Sequence, residues 1–364
     1  MLTKDSNRQR VTSASHICTI YNDTTNNTQY VSHDPYIDLI YAEIKNPPML
    51  MFEYNIFKEL QEKYPDSPYF IKPYILYSDT IPMYHMYNTT YIDNLRSQRD
   101  VKLENFLHKC SSKEELSEYV DNEEMLIIQK WQYIIDIANG IKLLHDEGII
   151  HRNLCSRCIS INNGVATITD LSSCAKKMID GKYEPNVPPM FGGHYYIGHP
   201  YYVVSGSTIG YKWTAPEAQL NTTKFSVKSD AFAFGMLISE IYGAMCPAFQ
   251  LGVLSDNDPH YVNFSKLIWR YQNDWTPDIS RYYSKDIMPI IKQCISPNPD
   301  QRPLFDDNFI KKLVNLKETI KNSEIVMLEK CIDKQIEDKL YYRSIEQKRL
   351  AELNNNDTSG CSML

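Results

Sequence analysis

The sequence predicts an α+β fold of two unequal lobes: a small β-rich N-terminal lobe, a large helical C-terminal lobe and one more helix at the end. Three observations predict it. Runs of β-branched and aromatic residues separated by polar turns fill residues 16–90. All 13 glycines lie at or after Gly140, so the first part of the chain has no glycine for tight turns or close backbone approach. From Leu316 to Leu353 apolar residues recur at helical spacing without a proline or glycine.

The 364 residues and 42.4 kDa allow two or three domains or lobes. Apolar residues at 43% suffice for a full core. Lys plus Arg is 38 against 45 Asp plus Glu, a net charge of −7, so the basic footprint of a nucleic-acid partner is absent. Mean hydropathy is −0.43, and no apolar run approaches the roughly 18 residues of a membrane span. The N-terminus is polar and has no apolar signal core. Nine scattered cysteines, an odd number, fit reduced thiols in a cytoplasmic protein. Triplets such as Asn22-Asp23-Thr24 then carry no glycosylation meaning.

The elements follow in order. Residues 1–15 read as a frayed tail, and His16–Lys45 as strands around the turn Asn22–Thr28. Pro47-Pro48 closes that block; Met49–Lys63 has Phe52, Ile56, Phe57 and Leu60 on one helical face. Tyr69–Tyr77 and Ile81–Tyr87 are strand-like, and residues 92–128 are charged and helix-prone. Trp131, Ile134, Ile135, Ala138, Ile141, Leu144 and His145 form an amphipathic stripe that Gly148 ends. Ile149–Ile161 and Val165–Thr169 alternate around Asn162-Asn163-Gly164 as a hairpin. Residues 171–212 have no period, and from Glu217 the chain reads helical to about Val314. The block 316–353 is a long exposed helix or short coiled coil, or else a helix packed back on the domain, and 354–364 is a flexible tail.

Three segments then appear in fixed order: His151-Arg152-Asn153-Leu154-Cys155-Ser156-Arg157-Cys158, Asp170-Leu171-Ser172, and Trp213-Thr214-Ala215-Pro216-Glu217. Ser229-Asp230-Ala231-Phe232-Ala233-Phe234-Gly235 and Pro299-Asp300-Gln301-Arg302-Pro303 follow the last. Residues 16–315 thereby resemble the protein-kinase fold, in particular its tyrosine-kinase-like branch. The resemblance implies a bilobal domain with its small lobe at about 16–90 and its large lobe at about 91–315. It implies structural roles for Asp230, an acceptor for the backbone of the His151-Arg152 turn, and for Glu217 and Arg302, an ion pair. It also implies ATP and Mg2+ as ligands, with Asp170 the metal carboxylate, Lys45 and Glu53 the phosphate-side ion pair, and signalling proteins as partners.

The catalytic positions depart from the family. Where an active kinase has an Asp base and, five residues on, an Asn metal ligand, this chain has Asn153 and Cys158. An amide has no lone pair basic enough for the substrate proton, and a soft thiol suits magnesium badly. Ser172 replaces the glycine and Leu171 the aromatic after Asp170. The phosphate hairpin has Asn and Thr where the family has glycine. Lys45 precedes Glu53 by 53 − 45 = 8 residues, with Pro47-Pro48 between, so Lys45 is either the ATP-site lysine or a solvated lysine at a strand end. The reading is a pseudokinase that regulates or scaffolds signalling; the alternative is a weakly active kinase that uses Asp170 for metal.

Three further signals remain. Cys155-X-X-Cys158 invites a redox or zinc reading; zinc would need a second such pair, the chain has none, and in the kinase register the pair reads as a coincidence of the catalytic loop. Tyr183, Tyr195, Tyr196, Tyr201 and Tyr202 fall in the segment that resembles an activation loop, where a phosphate could order against Arg152. Cys361-Ser362-Met363-Leu364 resembles a prenylation box, implying a reversible peripheral membrane anchor at Cys361. The stretch Tyr211–Pro303 with its following charged helix also looks similar to the kinase homology domain of receptor guanylyl cyclases, which implies a homodimer through 316–353.

Overall fold

A computed structural model of the chain describes residues 2–4, 11–12, 16–23, 28–35, 47–77, 81–86, 113–171, 173–177, 183–185, 213–220, 225–242, 273 and 285–359. The expected α+β architecture is present, with a β-rich N-terminal part and helices dominating the rest. In the first sheet, β3 (His16–Asp23) and β4 (Thr28–Pro35) form an antiparallel hairpin in register from His16↔Pro35 to Asp23↔Thr28. β4 pairs with β6 (Ile81–Met86), and β6 with β5 (Pro73–Tyr77). Residues 1–15, expected as a frayed tail, contribute two short strands instead. β1 (Leu2–Lys4) and β2 (Val11–Thr12) both pair with β3, which gives the backbone of that strand the partners it would otherwise lack.

Helix α1 (Pro47–Lys63) starts at the double proline, where a missing N–H costs nothing because the first-turn donors have no helical partner. It buries Ile56, Phe57 and Leu60 along the expected stripe. Its C-terminal end is tied to the larger lobe. Tyr64 donates to Glu147 Oε1 at 2.6 Å, Lys63 pairs with the same carboxylate, and Lys176 bonds Glu59. The following segment reaches the strand edge at Ile168, with Ile71 N–H donating to Ile168 O at 3.0 Å and Ile168 N–H to Tyr69 O at 2.8 Å.

Helix α2 (Lys113–Asp146) contains the predicted stripe 131–145 as its second half and begins well inside the charged segment 92–128. Trp131, Ile134, Ala138, Ile141 and Leu144 are fully buried. Gly140 lets it approach β9, since a Cβ there would lie 2.9 Å from Ile168 Cδ1. Gly148, at φ +68°, ends the helix in a left-handed conformation that suits glycine.

The predicted hairpin is present as β8 (Ile159–Asn162) and β9 (Val165–Ile168), joined by Asn163 at φ +50° and Gly164 at φ +80°. Its first arm is shorter than expected. Ile149–Ile150 forms a separate strand, β7, which pairs with β10 (Ala175–Lys177); β10 pairs in turn with β11 (Tyr183–Pro185). Residues 151–158 between β7 and β8 leave the strand path because Arg152 takes φ +66° and Ser156–Cys158 form a 3-10 turn.

The C-terminal core is built on α3 (Pro216–Leu220), α4 (Val227–Tyr242), α5 (Met288–Cys294) and α6 (Asp307–Ser359). Every residue of α4 from Ser229 to Tyr242 is buried. The block 316–353 is not separate: it continues a helix that starts at Asp307, capped by Asp306 Oδ1 accepting from Phe309 N–H at 2.8 Å. The early turns of α6 pack on α2, with Trp131 Nε1–H donating to Leu313 O at 2.9 Å and Phe309, Leu313 and Ile320 buried. Further along, Tyr341, Tyr342 and Ile345 are exposed. No described helix is long and apolar enough to cross a membrane.

Candidate functional site

The loop His151–Cys158 is held from below by one carboxylate. Asp230, in the first turn of α4, accepts from His151 N–H at 2.8 Å and from Arg152 N–H at 2.9 Å. His145 at the end of α2 adds a third donor, Nε2–H to Asp230 Oδ2 at 2.9 Å. Burial alone would push the Asp230 carboxyl up, but the hydrogen bond from His145 and its electrostatic interactions with the two histidines, together with the His151 backbone bond, bring it net below its ordinary value. The Asp230 carboxylate, bonded to the amides of His151 and Arg152, holds Arg152 in its left-handed conformation, which is costly for an arginine. Asp230 therefore has the structural role expected of it. His145 was not singled out from sequence; its place at the end of the apolar stripe was the available signal.

His151 is itself buried, and burial holds its imidazole below the ordinary 6.5 against the pull of Asp230 and Asp170. Its Nδ1 accepts from Asn153 N–H at 3.4 Å. Arg152 is also buried: Nη1 donates to Ser173 O at 3.2 Å, and the guanidinium lies over the Phe225 ring at 4.9 Å. Phe225 and the Ser173 carbonyl thus occupy the side chain that the sequence offered to a phosphotyrosine. Tyr195, Tyr196, Tyr201 and Tyr202 lie outside the described residues.

Asn153 is buried, and its backbone carbonyl accepts from the Cys158 thiol at 3.1 Å. Cys158 Sγ lies 3.5 Å from Cys155 Sγ. Burial, then the contact with Cys155 and the negative charge of Asp170, push the Cys158 thiol well up, so it is a protonated, poor metal ligand. The Cys158 carbonyl accepts from Thr169 N–H at 2.8 Å and Thr169 Oγ1 at 3.1 Å, which fixes the strand leading into Asp170.

Asp170 is buried, and the residue after it meets α1: Leu171 N–H donates to Glu53 Oε1 at 2.8 Å, with Glu53 fully buried. The fold thus brings Glu53 to the Asp170 segment. Lys45, the lysine proposed to pair with Glu53, lies outside the described residues, as do Ser172 and Cys361. Among the described residues no three His, Cys, Asp or Glu side chains converge on one point as a metal cage. One hard carboxylate beside a protonated thiol fits magnesium poorly.

Glu217 and Arg302 form the expected pair in a two-pronged geometry, Nη1 to Oε1 at 2.7 Å and Nη2 to Oε2 at 2.9 Å. Arg302 also donates from Nε to Ser296 O at 2.8 Å and from Nη1 to Lys228 O at 3.0 Å, and stacks over Phe232 at 5.1 Å. Ser229 Oγ donates to Glu217 Oε1 at 3.1 Å. The guanidinium is satisfied on every side, as a fully buried charge requires. Nearby, Trp213 Nε1–H donates to Glu240 Oε2 at 3.1 Å, a tie to α4 from the residues just before α3 that the sequence did not suggest.

Residues 83–315 match the family model described as "Protein kinase domain". The chain is 27% identical over 195 residues to tyrosine-protein kinase Btk of Drosophila melanogaster, covering 52% of this chain and 21% of that protein. It is 29% identical over 171 residues to tyrosine-protein kinase Src64B of the same organism, covering 47% and 26% respectively. It is 26% identical over 190 residues to protein-tyrosine kinase 6 of Mus musculus, covering 51% and 35%. The matched stretch is thus between about a fifth and a third of the length of these relatives.

Proposed function

The chain belongs to the protein kinase domain family, and on that premise we propose that it acts as a pseudokinase, a domain that binds and regulates signalling proteins rather than transferring phosphate. One observation carries this reading: Asn153 and Cys158, at the base and second-metal positions, sit in a loop otherwise held as a working loop would be, by Asp230. An amide accepts no proton at neutral pH, and a general base is worth about 10²–10⁴ in rate. The scaffold is retained and the chemistry is withdrawn.

Residual nucleotide binding is part of the proposal, with little dependence on Mg2+. Asp170 supports it as a single hard ligand; the protonated Cys158 thiol does not add a second. Homodimerisation through 316–353 is the partner reading, supported by the exposed Tyr341, Tyr342 and Ile345 on α6.

Thermal unfolding of the full chain with millimolar ATP, with and without Mg2+, tests the nucleotide part. A ligand that binds only the folded state raises the melting temperature by mass action. The expected result is a shift of similar size in both conditions. Incubation with labelled ATP and Mg2+ tests the main claim. Phosphate incorporation that vanishes in Asp170→Ala would establish the alternative, a weakly active kinase.

A further inference from the structure

We infer that Cys155 and Cys158 form a redox-modification site, closing to an intraloop disulfide within the folded domain. The two residues are three apart on a 3-10 turn in which Cys158 N–H donates to Cys155 O at 3.0 Å. That turn brings their backbones to the separation a disulfide needs, and the two sulfurs already face each other at 3.5 Å. A bond of about 2.05 Å requires them to approach by less than 2 Å, within reach of side-chain rotation. Both side chains are fully buried and the Cys158 thiol is protonated at rest, so oxidation proceeds through a local opening of the loop that admits the peroxide and frees a thiolate, after which the bridge closes in an apolar environment.

The step is a two-electron oxidation. Each residue loses its S–H proton, one S–S bond forms, and a peroxide such as H2O2 accepts the two electrons and two protons to become two waters. A dithiol reductant reverses it.

The consequence is local and follows from the same bonds. The Cys158 thiol now donates to Asn153 O at 3.1 Å; as a disulfide it has no proton to donate. The Cys158 carbonyl holds Thr169 through two bonds, and Thr169 precedes Asp170. Closing the bridge therefore alters the loop at Asn153 on one side and the approach to Asp170 on the other. The inference does not depend on whether the cleft binds nucleotide.

The test uses the full chain treated with H2O2, blocked with an alkylating reagent and digested with trypsin. Cleavage after Arg152, Arg157 and Lys176 separates residues 153–157 from 158–176, so only a disulfide keeps the two joined. Cys174 lies in the second peptide, and Cys174→Ser removes its contribution. The expected result is a joined species, split by dithiothreitol, in the wild type and in Cys174→Ser, and none in Cys155→Ser. Cys155→Ser leaves the bonds of Cys158 to Asn153 and Thr169 in place, and a cooperative thermal melt of the variant checks that it is folded before oxidation. Recovery of both cysteines alkylated from the oxidised wild type would overturn the inference. A joined species that disappears in Cys174→Ser would overturn it as well.

Discussion

Glu53 Oε1 accepts a hydrogen bond from the backbone N–H of Leu171 at 2.8 Å, and this contact joins the helix of the small lobe to the residue after Asp170. The two residues are 118 positions apart in sequence. Sequence reasoning offered Glu53 a lysine; the fold adds a main-chain donor. A fully buried carboxylate needs donors around it, and the Leu171 N–H is one of them.

Glu53→Ala leaves the Leu171 N–H buried without its acceptor. The expected destabilisation is about 1–3 kcal/mol, and Glu53→Gln, which keeps an oxygen acceptor, should lose less. Urea denaturation measures both. Amide hydrogen exchange at Leu171 should quicken in Glu53→Ala, and unchanged protection there would show that the bond does not order the segment.

The Glu217–Arg302 pair should behave as one unit. Glu217→Ala strands the buried Arg302 guanidinium and is expected to cost about 3–5 kcal/mol, while Arg302→Leu leaves the part-exposed Glu217 without its guanidinium and is expected to cost less. The double variant should cost clearly less than the sum of the single losses. A double-mutant cycle in chemical denaturation reads this directly, and additive losses would mean that the two side chains are not coupled.

Two buried groups set the acid limb of stability. Burial depresses the folded-state His151, so the unfolded chain takes up a proton near 6.5 while the native imidazole stays neutral. Stability contributed this way is present above about 6.5 and falls as pH drops below it. Asp230 is depressed too, so a second loss begins as pH descends past its ordinary 3.8. His151→Gln should flatten the first decline and leave the second. Unfolding free energies measured from pH 7.5 down to about 2 would expose an unchanged profile, which is the contrary outcome.

Cys158→Asn replaces a protonated thiol by a hard oxygen beside Asp170. The melting-temperature shift caused by ATP should then become larger with Mg2+ than without. Equal shifts in the variant would mean that position 158 does not face the metal site.

Much of this protein was decided locally. The ordered motifs around His151, Asp170, Glu217, Asp230 and Arg302, the stripe Trp131–His145 and the Asn163-Gly164 turn were all legible because each depends on residue type and near-neighbour spacing. The amide at Asn153 and the thiol at Cys158 were legible for the same reason, since an amide or a thiol is what it is in any environment. Position in space was not legible. That Cys155 and Cys158 point at each other, that Phe225 covers Arg152, that His145 completes the shell of Asp230 and that Glu53 meets Leu171 are long-range or rotamer-level facts. Only packing of the whole core chooses among the rotamers and turn conformations the chain could locally adopt, and only burial makes an unpaired donor or charge costly enough to enforce the choice.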